Sequence, residues 1–164
     1  MELSSWHYGL STAQLWRERM GESRVAEWDT LLAKLSPLAK DAEGKLYLAS
    51  EDATDSYTNI RFISDHPAVT GALGMYPESR LLDKEIMNNT IDKIFEVWNW
   101  DETWGWDYPM IAMCAARVGE PDKAVDALLM KNRTNTCMGC LEIFLEFKQS
   151  THIDCTVCIT CWLL

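Results

Sequence analysis

The sequence predicts an all-α fold built from αα-hairpins, and three features carry that prediction. Apolar residues recur at three- and four-residue intervals over residues 5–20, 23–35 and 83–98, the period of an amphipathic helix. Gly119-Glu120-Pro121 joins two further helical stretches with the stop-and-start punctuation of an αα-hairpin. No series of β-rich runs alternates with these helices, so no parallel sheet is visible.

Taken in order, SWHYGLSTAQLWRERM reads as a first helix over 5–20, with Trp6, Leu10, Ala13, Leu15, Trp16 and Met20 as its apolar set and Gly21 as its stop. The second runs over about 23–35 through Val25, Trp28, Leu31, Leu32 and Leu35, and Ser36-Pro37 ends it. Residues 37–64 are mixed: KLYLAS is at most a short extended piece, and Thr54 to Asn59 read as loop. Asp65-His66-Pro67 opens a new segment with Pro67 suited to a first helical turn, and Pro77 closes it. The 83–98 helix has Leu82, Ile86, Met87, Ile91, Ile94, Phe95 and Trp98 as its stripe, with Asp83 and Glu85 at the positive end of its macrodipole. NWDETWGWDY (99–108) lacks a helical period and reads as loop. Pro109 then starts MIAMCAARVG and Pro121 starts DKAVDALLMK. Met75, Met87, Met110, Met113 and Met130 fall on apolar faces as core filler, and Cys114 is a small core residue.

At 164 residues the chain is one domain or part of a larger one. Eight Trp, five Tyr and four Phe exclude a disordered composition. Acids outnumber bases 25 to 15, for a net charge of −10. Nucleic acid and anionic membranes are therefore not expected partners, because both recruit Lys and Arg. No apolar run approaches the ~20 residues of a membrane span. MELSSWHYGL shows neither a basic n-region nor an apolar h-region, so no signal peptide is visible; location stays open, an exported or periplasmic parent included. No cofactor is expected: phosphate-loop, nucleophile-elbow and metalloprotease signatures are all missing.

The texture changes near Arg133. Residues 134–164 hold three acids and one base but five of the six cysteines. We divide the chain into a helical unit, 1–133, and a Cys-rich tail, 134–164. Cys137-x2-Cys140 and Cys155-x2-Cys158, with Cys161 and His152 nearby, have thiolate spacing that could hold zinc, though the glycines and bases that usually flank such thiolates are scarce. A second reading makes the tail disordered or out-of-frame text.

Four of the eight Trp lie between Trp98 and Trp106 and are interleaved with Asp101, Glu102 and Asp107. Indole faces stack on the C–H faces of sugar rings, and carboxylates accept from sugar hydroxyls. Glycosidic cleavage typically uses two carboxyl groups, about 5–5.5 Å apart for retention and about 6.5–9.5 Å for inversion. Asp101, Glu102 and Asp107 are the candidate catalytic acids by type; Trp100, Trp104, Trp106 and Asp107 are candidate sugar contacts. Against this stands the bland reading of Trp residues as core and acids as caps. Asp65-His66 is a second candidate contact: His66 can orient a hydroxyl or tune a carboxylate, while Asp65 can equally cap the helix after it.

Several of these strings occur together in an order that resembles a known family. They are Trp6-x2-Gly9-Leu10-x2-Ala13-Gln14-x-Trp16-Arg17-x-Arg19, Asp65-His66-Pro67-x3-Gly71-Ala72-Leu73-Gly74 and Asp83-Lys84-x5-Thr90. Trp104-Gly105-Trp106-Asp107-Tyr108-Pro109-Met110 and Ala115-Ala116-Arg117-x-Gly119-x-Pro121 complete the set. The chain over about residues 3–132 resembles the bacterial six-hairpin glycosidase-like proteins, relatives of glycoside hydrolase family 65 common in gut Bacteroidetes. The resemblance implies an (α/α)6 barrel and cleavage of glycosidic bonds in a cleft at one barrel end. It also implies a longer parent domain, of which this chain carries a late part, with the general acid upstream; no catalytic role is carried over by name. An isolated part of such a barrel is expected to be inactive and to leave helix faces exposed. The carbohydrate substrate and the rest of the parent domain are the partners implied. Two other readings stay open. AMCAARVGEPDKAVDALLM resembles one tetratricopeptide hairpin, as in a helical-repeat binding scaffold, although no period of about 20–50 residues recurs. The Cys-rich tail would make a small zinc module on a helical stub.

Overall fold

The computed structural model describes residues 1–135, and its regular elements are all helices. The α-helices are α1 (Glu2–Arg19), α2 (Ala26–Lys34), α3 (Ile60–Ile63), α4 (Gly71–Gly74), α5 (Lys84–Val97), α6 (Asp107–Val118) and α7 (Pro121–Leu129), with single 3₁₀ turns at Ala68–Thr70 and Arg133–Asn135. Among the described residues there is no strand; Lys40 and Tyr47 form one isolated antiparallel bridge within an irregular segment. The zinc-spaced Cys137, Cys140, Cys155 and Cys158, and any account of the tail, lie outside the described residues.

α6 is the central element and packs against α4, α5 and α7. Its apolar content explains why: Tyr108, Met110, Ile111, Ala112, Cys114 and Ala115 are all buried. α5 supplies Met87, Thr90, Ile91 and Ile94, the i, i+3, i+4, i+7 stripe expected of a helix with one packed face. Met87, Ile91 and Ile94 are fully buried, each contributing about 1.5–3 kcal/mol relative to exposure. Asp83 caps α5 by accepting from the Glu85 and Ile86 amides, and Glu85 lies in its first turn. α6 ends at Gly119, whose φ of 100° gives the left-handed C-cap that the Gly-Glu-Pro string predicts, and Pro121 opens α7.

The irregular 35–59 segment is fixed to α5 through Tyr47, which is fully buried. Its amide donates to Thr90 Oγ1 at 2.9 Å, its hydroxyl accepts from the Asp83 amide at 2.7 Å, and its carbonyl accepts from the Tyr57 hydroxyl. Every polar atom of this buried tyrosine is thereby used, which is what makes its burial affordable.

Three expectations change. α6 starts at Asp107 and not at Pro109, so the loop is two residues shorter; Pro109 falls inside the first turn, where a missing N–H costs nothing. α1 does not bury its apolar set: Trp6, Leu15, Trp16 and Met20 are exposed, whereas Ser4 and Gln14 are buried. Gln14 is satisfied there by both polar groups of Val25, donating to its carbonyl at 2.8 Å and accepting from its amide at 3.0 Å, which ties α1 to the start of α2. Among the methionines, Met87 and Met110 are core, whereas Met75 and Met113 are exposed.

α4 is only four residues long and is held at its C-terminal end by a side chain from α6. Arg117 Nη1 donates to the carbonyls of Leu73 at 2.5 Å, Gly74 at 2.9 Å and Tyr76 at 2.9 Å. These are carbonyls that a short helix cannot satisfy internally. Arg117→Met keeps most of the aliphatic stem and removes the donors. It is expected to lower unfolding free energy by about 1.5–3 kcal/mol, the range for hydrogen bonds to a charged group, read as a shifted urea midpoint with an unchanged slope.

Candidate functional site

Two chain segments distant in sequence are joined below α5. The loop that follows α5, residues 98–106, hydrogen-bonds back to residues 63–66. Asn99 N donates to Ile63 O at 2.8 Å, Asn99 Nδ2 to Ser64 Oγ at 3.3 Å, and Trp98 Nε1 to Asp65 O at 2.7 Å. The missing helical period of 98–106 thus reflects a segment whose amides and indole are spent on a neighbour.

His66 stands at this junction. Its Nδ1 lies 3.0 and 3.1 Å from the two carboxylate oxygens of Asp107. Its ring is flanked by Trp106, at a centroid distance of 4.4 Å, and by Trp104, at 5.4 Å. Asp107 is fully buried, and its other contacts come from the loop before it. Trp104 N donates to Asp107 Oδ2 at 2.9 Å, and the Thr103 hydroxyl donates to the same oxygen. Asp107 is therefore no helix cap: it is the first residue of α6, accepts from an amide three residues behind it, and leaves the helix's own first amides alone. Asp65 caps nothing either; its Oδ1 accepts from the adjacent His66 amide at 2.7 Å.

The geometry assigns distinct jobs to the two ring nitrogens. An ionised Asp107 accepts from Nδ1–H, which leaves Nε2 as the acceptor. That second nitrogen lies 3.9 Å from Asp65 Oδ1, and the His66 side chain retains 29% exposure. His66, Asp65 and Trp98 line a cavity of about 200 Å³ together with Tyr57, Phe62 and Val69. The site is thus a buried acid behind a histidine, indoles beside it and a partly exposed imidazole bordering the cavity, an arrangement that can accept a hydroxyl proton or hydrogen bond from a ligand.

Burial pushes the Asp107 carboxyl above its ordinary range, against the lowering pull of Thr103, the Trp104 amide and His66. A raised native pKa means that the folded state favours the protonated form. The stabilising contribution is complete below the unfolded value of 3.8 and is lost as pH rises through the native one. The stability of the wild type relative to Asp107→Asn is therefore expected to be greatest near pH 4 and to shrink towards neutrality, measured by urea unfolding of both proteins across that range.

Of the candidate contacts, the structure brings together Asp65, His66, Trp104, Trp106 and Asp107. It places Trp100 elsewhere: that indole packs between Phe95 and Tyr108, and its carbonyl accepts from the Tyr108 and Thr134 hydroxyls. Asp101 is engaged by the last described turn, accepting from Asn132 Nδ2 at 3.0 Å and the Arg133 amide at 3.4 Å, contacts that hold its carboxyl below the usual range. Glu102 is exposed, and its amide closes a turn onto Asn99. Sequence reasoning missed Thr103 as the partner of Asp107, and Tyr57 and Phe62 as cavity wall. The Thr four residues before Asp107 was a visible signal; the wall residues sit in a stretch without periodicity. Among the described residues no group of three His, Cys, Asp or Glu is placed to hold a metal ion, and no helix is long and apolar enough to cross a membrane. No family model matches the chain, and no curated protein or solved structure matches it.

Proposed function

We propose that the chain is part of a carbohydrate-active, glycoside hydrolase-like enzyme of (α/α)6 architecture, and that the His66 cavity is where it contacts sugar. The observation that carries the reading is the His66 imidazole, fixed from behind by buried Asp107, flanked by Trp104 and Trp106, and bordering a cavity with Asp65 and Trp98. Aromatic faces take the C–H side of a pyranose, and Nε2 and Asp65 accept from its hydroxyls. Asp107 acts through His66, as a positioning residue. The catalytic acid belongs to the remainder of the parent domain. The exposed apolar residues of α1 are the face that a partial barrel leaves uncovered.

Affinity electrophoresis of the full chain through gels containing soluble plant and bacterial polysaccharides tests the reading. Migration is expected to be retarded by at least one glycan class, and the retardation is expected to be lost in Trp104→Ala. Unretarded migration through every glycan, or retardation indifferent to Trp104, contradicts it.

A further inference from the structure

The charges around the cavity limit which sugars it can take. Among the described residues that line it, none is a Lys or Arg; the ionisable side chains present are Asp65, His66 and Tyr57. Asp65 is 66% exposed at the rim, with Oδ1 3.9 Å from His66 Nε2. On the other side of the imidazole lies the Asp107 carboxylate, 3.0 Å from Nδ1 and fully buried. The imidazole is thus bracketed by two carboxylates. With Nδ1–H donated to an ionised Asp107 and Nε2 bare, the His66–Asp107 pair carries −1, and with one further proton it is neutral. Asp65 adds a further −1, so the group never offers a ligand a net positive charge under either condition. The rest of the wall is Phe62, Val69, Trp98, two alanines and Ser56, whose hydroxyl donates to the Ala53 carbonyl and accepts from the Ala49 amide. At about 200 Å³ the cavity is smaller than the about 300–1,000 Å³ of drug-sized ligand sites, so it is one ring in size rather than an oligosaccharide cleft.

We infer that the His66 cavity is a single-ring subsite selective for neutral pyranose units and closed to uronic acids and other anionic sugars. The inference rests on the sugar-contact reading above and adds the substrate class. A sugar carboxylate entering here meets two like charges and a largely apolar wall, with no guanidinium or ammonium to pair with, so it loses hydration without replacement. A neutral ring gives Asp65 and His66 Nε2 hydroxyl donors and gives Trp98 and Phe62 its C–H face.

The test is an NMR titration of the full ¹⁵N-labelled chain with matched methyl glycosides. The gluco, galacto and manno sugars are each used as the 6-hydroxyl compound and as the corresponding uronate, at fixed ionic strength near 0.15 M. The signals followed are the Trp98 indole N–H, which donates to Asp65 O, and the His66 ring. In whichever pair binds, the neutral member is expected to bind at least about tenfold more tightly than the uronate. Asp65→Asn, a change at an exposed side chain, is expected to narrow that gap to about threefold or less by admitting the uronate. A uronate that binds as well as its neutral partner overturns the inference and leaves the sugar-contact reading standing. So does a gap that persists unchanged in Asp65→Asn, or binding that moves neither signal. If no sugar of either charge binds, the sugar-contact reading fails and the inference fails with it.

Discussion

Asp107→Ala is expected to destabilise the fold by about 3–5 kcal/mol, the range for removing one partner of a buried charged pair. The carboxylate is fully buried and is the shared acceptor for three donors: His66 Nδ1, the Thr103 hydroxyl and the Trp104 amide. Truncation leaves these donors facing a hole, and a buried donor without an acceptor costs about 1–3 kcal/mol. Urea unfolding of the wild type and the variant measures the loss. Asp107→Asn separates architecture from chemistry. The amide oxygen still accepts from Trp104 and Thr103, but the amide nitrogen now presents N–H groups to His66. The imidazole must then turn to the tautomer with Nδ1 as acceptor and Nε2 as donor. Stability is expected to fall by about 1 kcal/mol, whereas glycan retardation, or turnover in an intact parent, falls far more. Glu85→Gln is the control: its carboxylate lies in the first turn of α5, where the helix dipole accounts for about 0.3–1 kcal/mol, and sugar binding should not change. If Asp107→Asn binds glycan like the wild type, the positioning role is refuted.

Gly74→Ala is expected to cost about 3 kcal/mol, the upper end of the overpacking range. Gly74 ends α4 where that helix presses directly on α6. A Cβ built there falls 2.4 Å from the Met110 carbonyl oxygen, which is backbone in the middle of a packed helix and cannot yield. Gly71, one turn earlier, provides the contrast. Its added Cβ meets Met1 Sδ at 2.9 Å and Met110 Sδ at 3.2 Å, both flexible thioether ends. Gly71→Ala is therefore expected to cost at most about 1 kcal/mol. Thermal or urea unfolding of the two single variants reads the difference directly. Equal losses would mean that side-chain crowding, rather than backbone approach, sets the α4–α6 distance.

The helices were legible wherever one apolar face meets the core. α5 shows this best: the buried residues Met87, Ile91 and Ile94 are the ones its period marks, while Asp83, read from sequence only as an acid favoured by the helix dipole, proves to be its cap. The α6–α7 turn was legible because Gly119 and Pro121 carry backbone constraints in the residues themselves. α1 was legible as a helix but not in its orientation. Periodicity marks an apolar face and cannot say whether anything covers it, and here Gln14, hydrogen-bonded to Val25, is buried while Trp16 is exposed. The 37–64 segment was illegible because its order comes from distant partners: Tyr47 is fixed by Thr90 and Asp83, and both lie on or beside α5.

The candidate site was half legible, for a related reason. Residue type drew attention to His66, Trp104, Trp106 and Asp107, which the fold brings together. Type could not separate them from Trp100 and Asp101, which sit in the same loop. An indole packed between Phe95 and Tyr108 and an indole beside a histidine have the same letter. Nor could type reveal that Asp107 faces inward. Its neighbours in sequence are aromatic on both sides, which suits a sugar contact and a buried acid equally, and only the 41-residue separation from His66 closed by the fold decides between them.

The most direct measurement of the central claim is a long-range ¹H–¹⁵N correlation spectrum of the His66 ring, recorded without ligand and with a saturating glycan that retards the chain. The account predicts a protonated Nδ1 and an acceptor Nε2 in the free protein, with Nε2 shifting on sugar binding as it takes a hydroxyl hydrogen bond, and the inverse tautomer in Asp107→Asn. An Nε2 that does not move when such a glycan is bound, or a free protein already in the Nε2–H form, would contradict it.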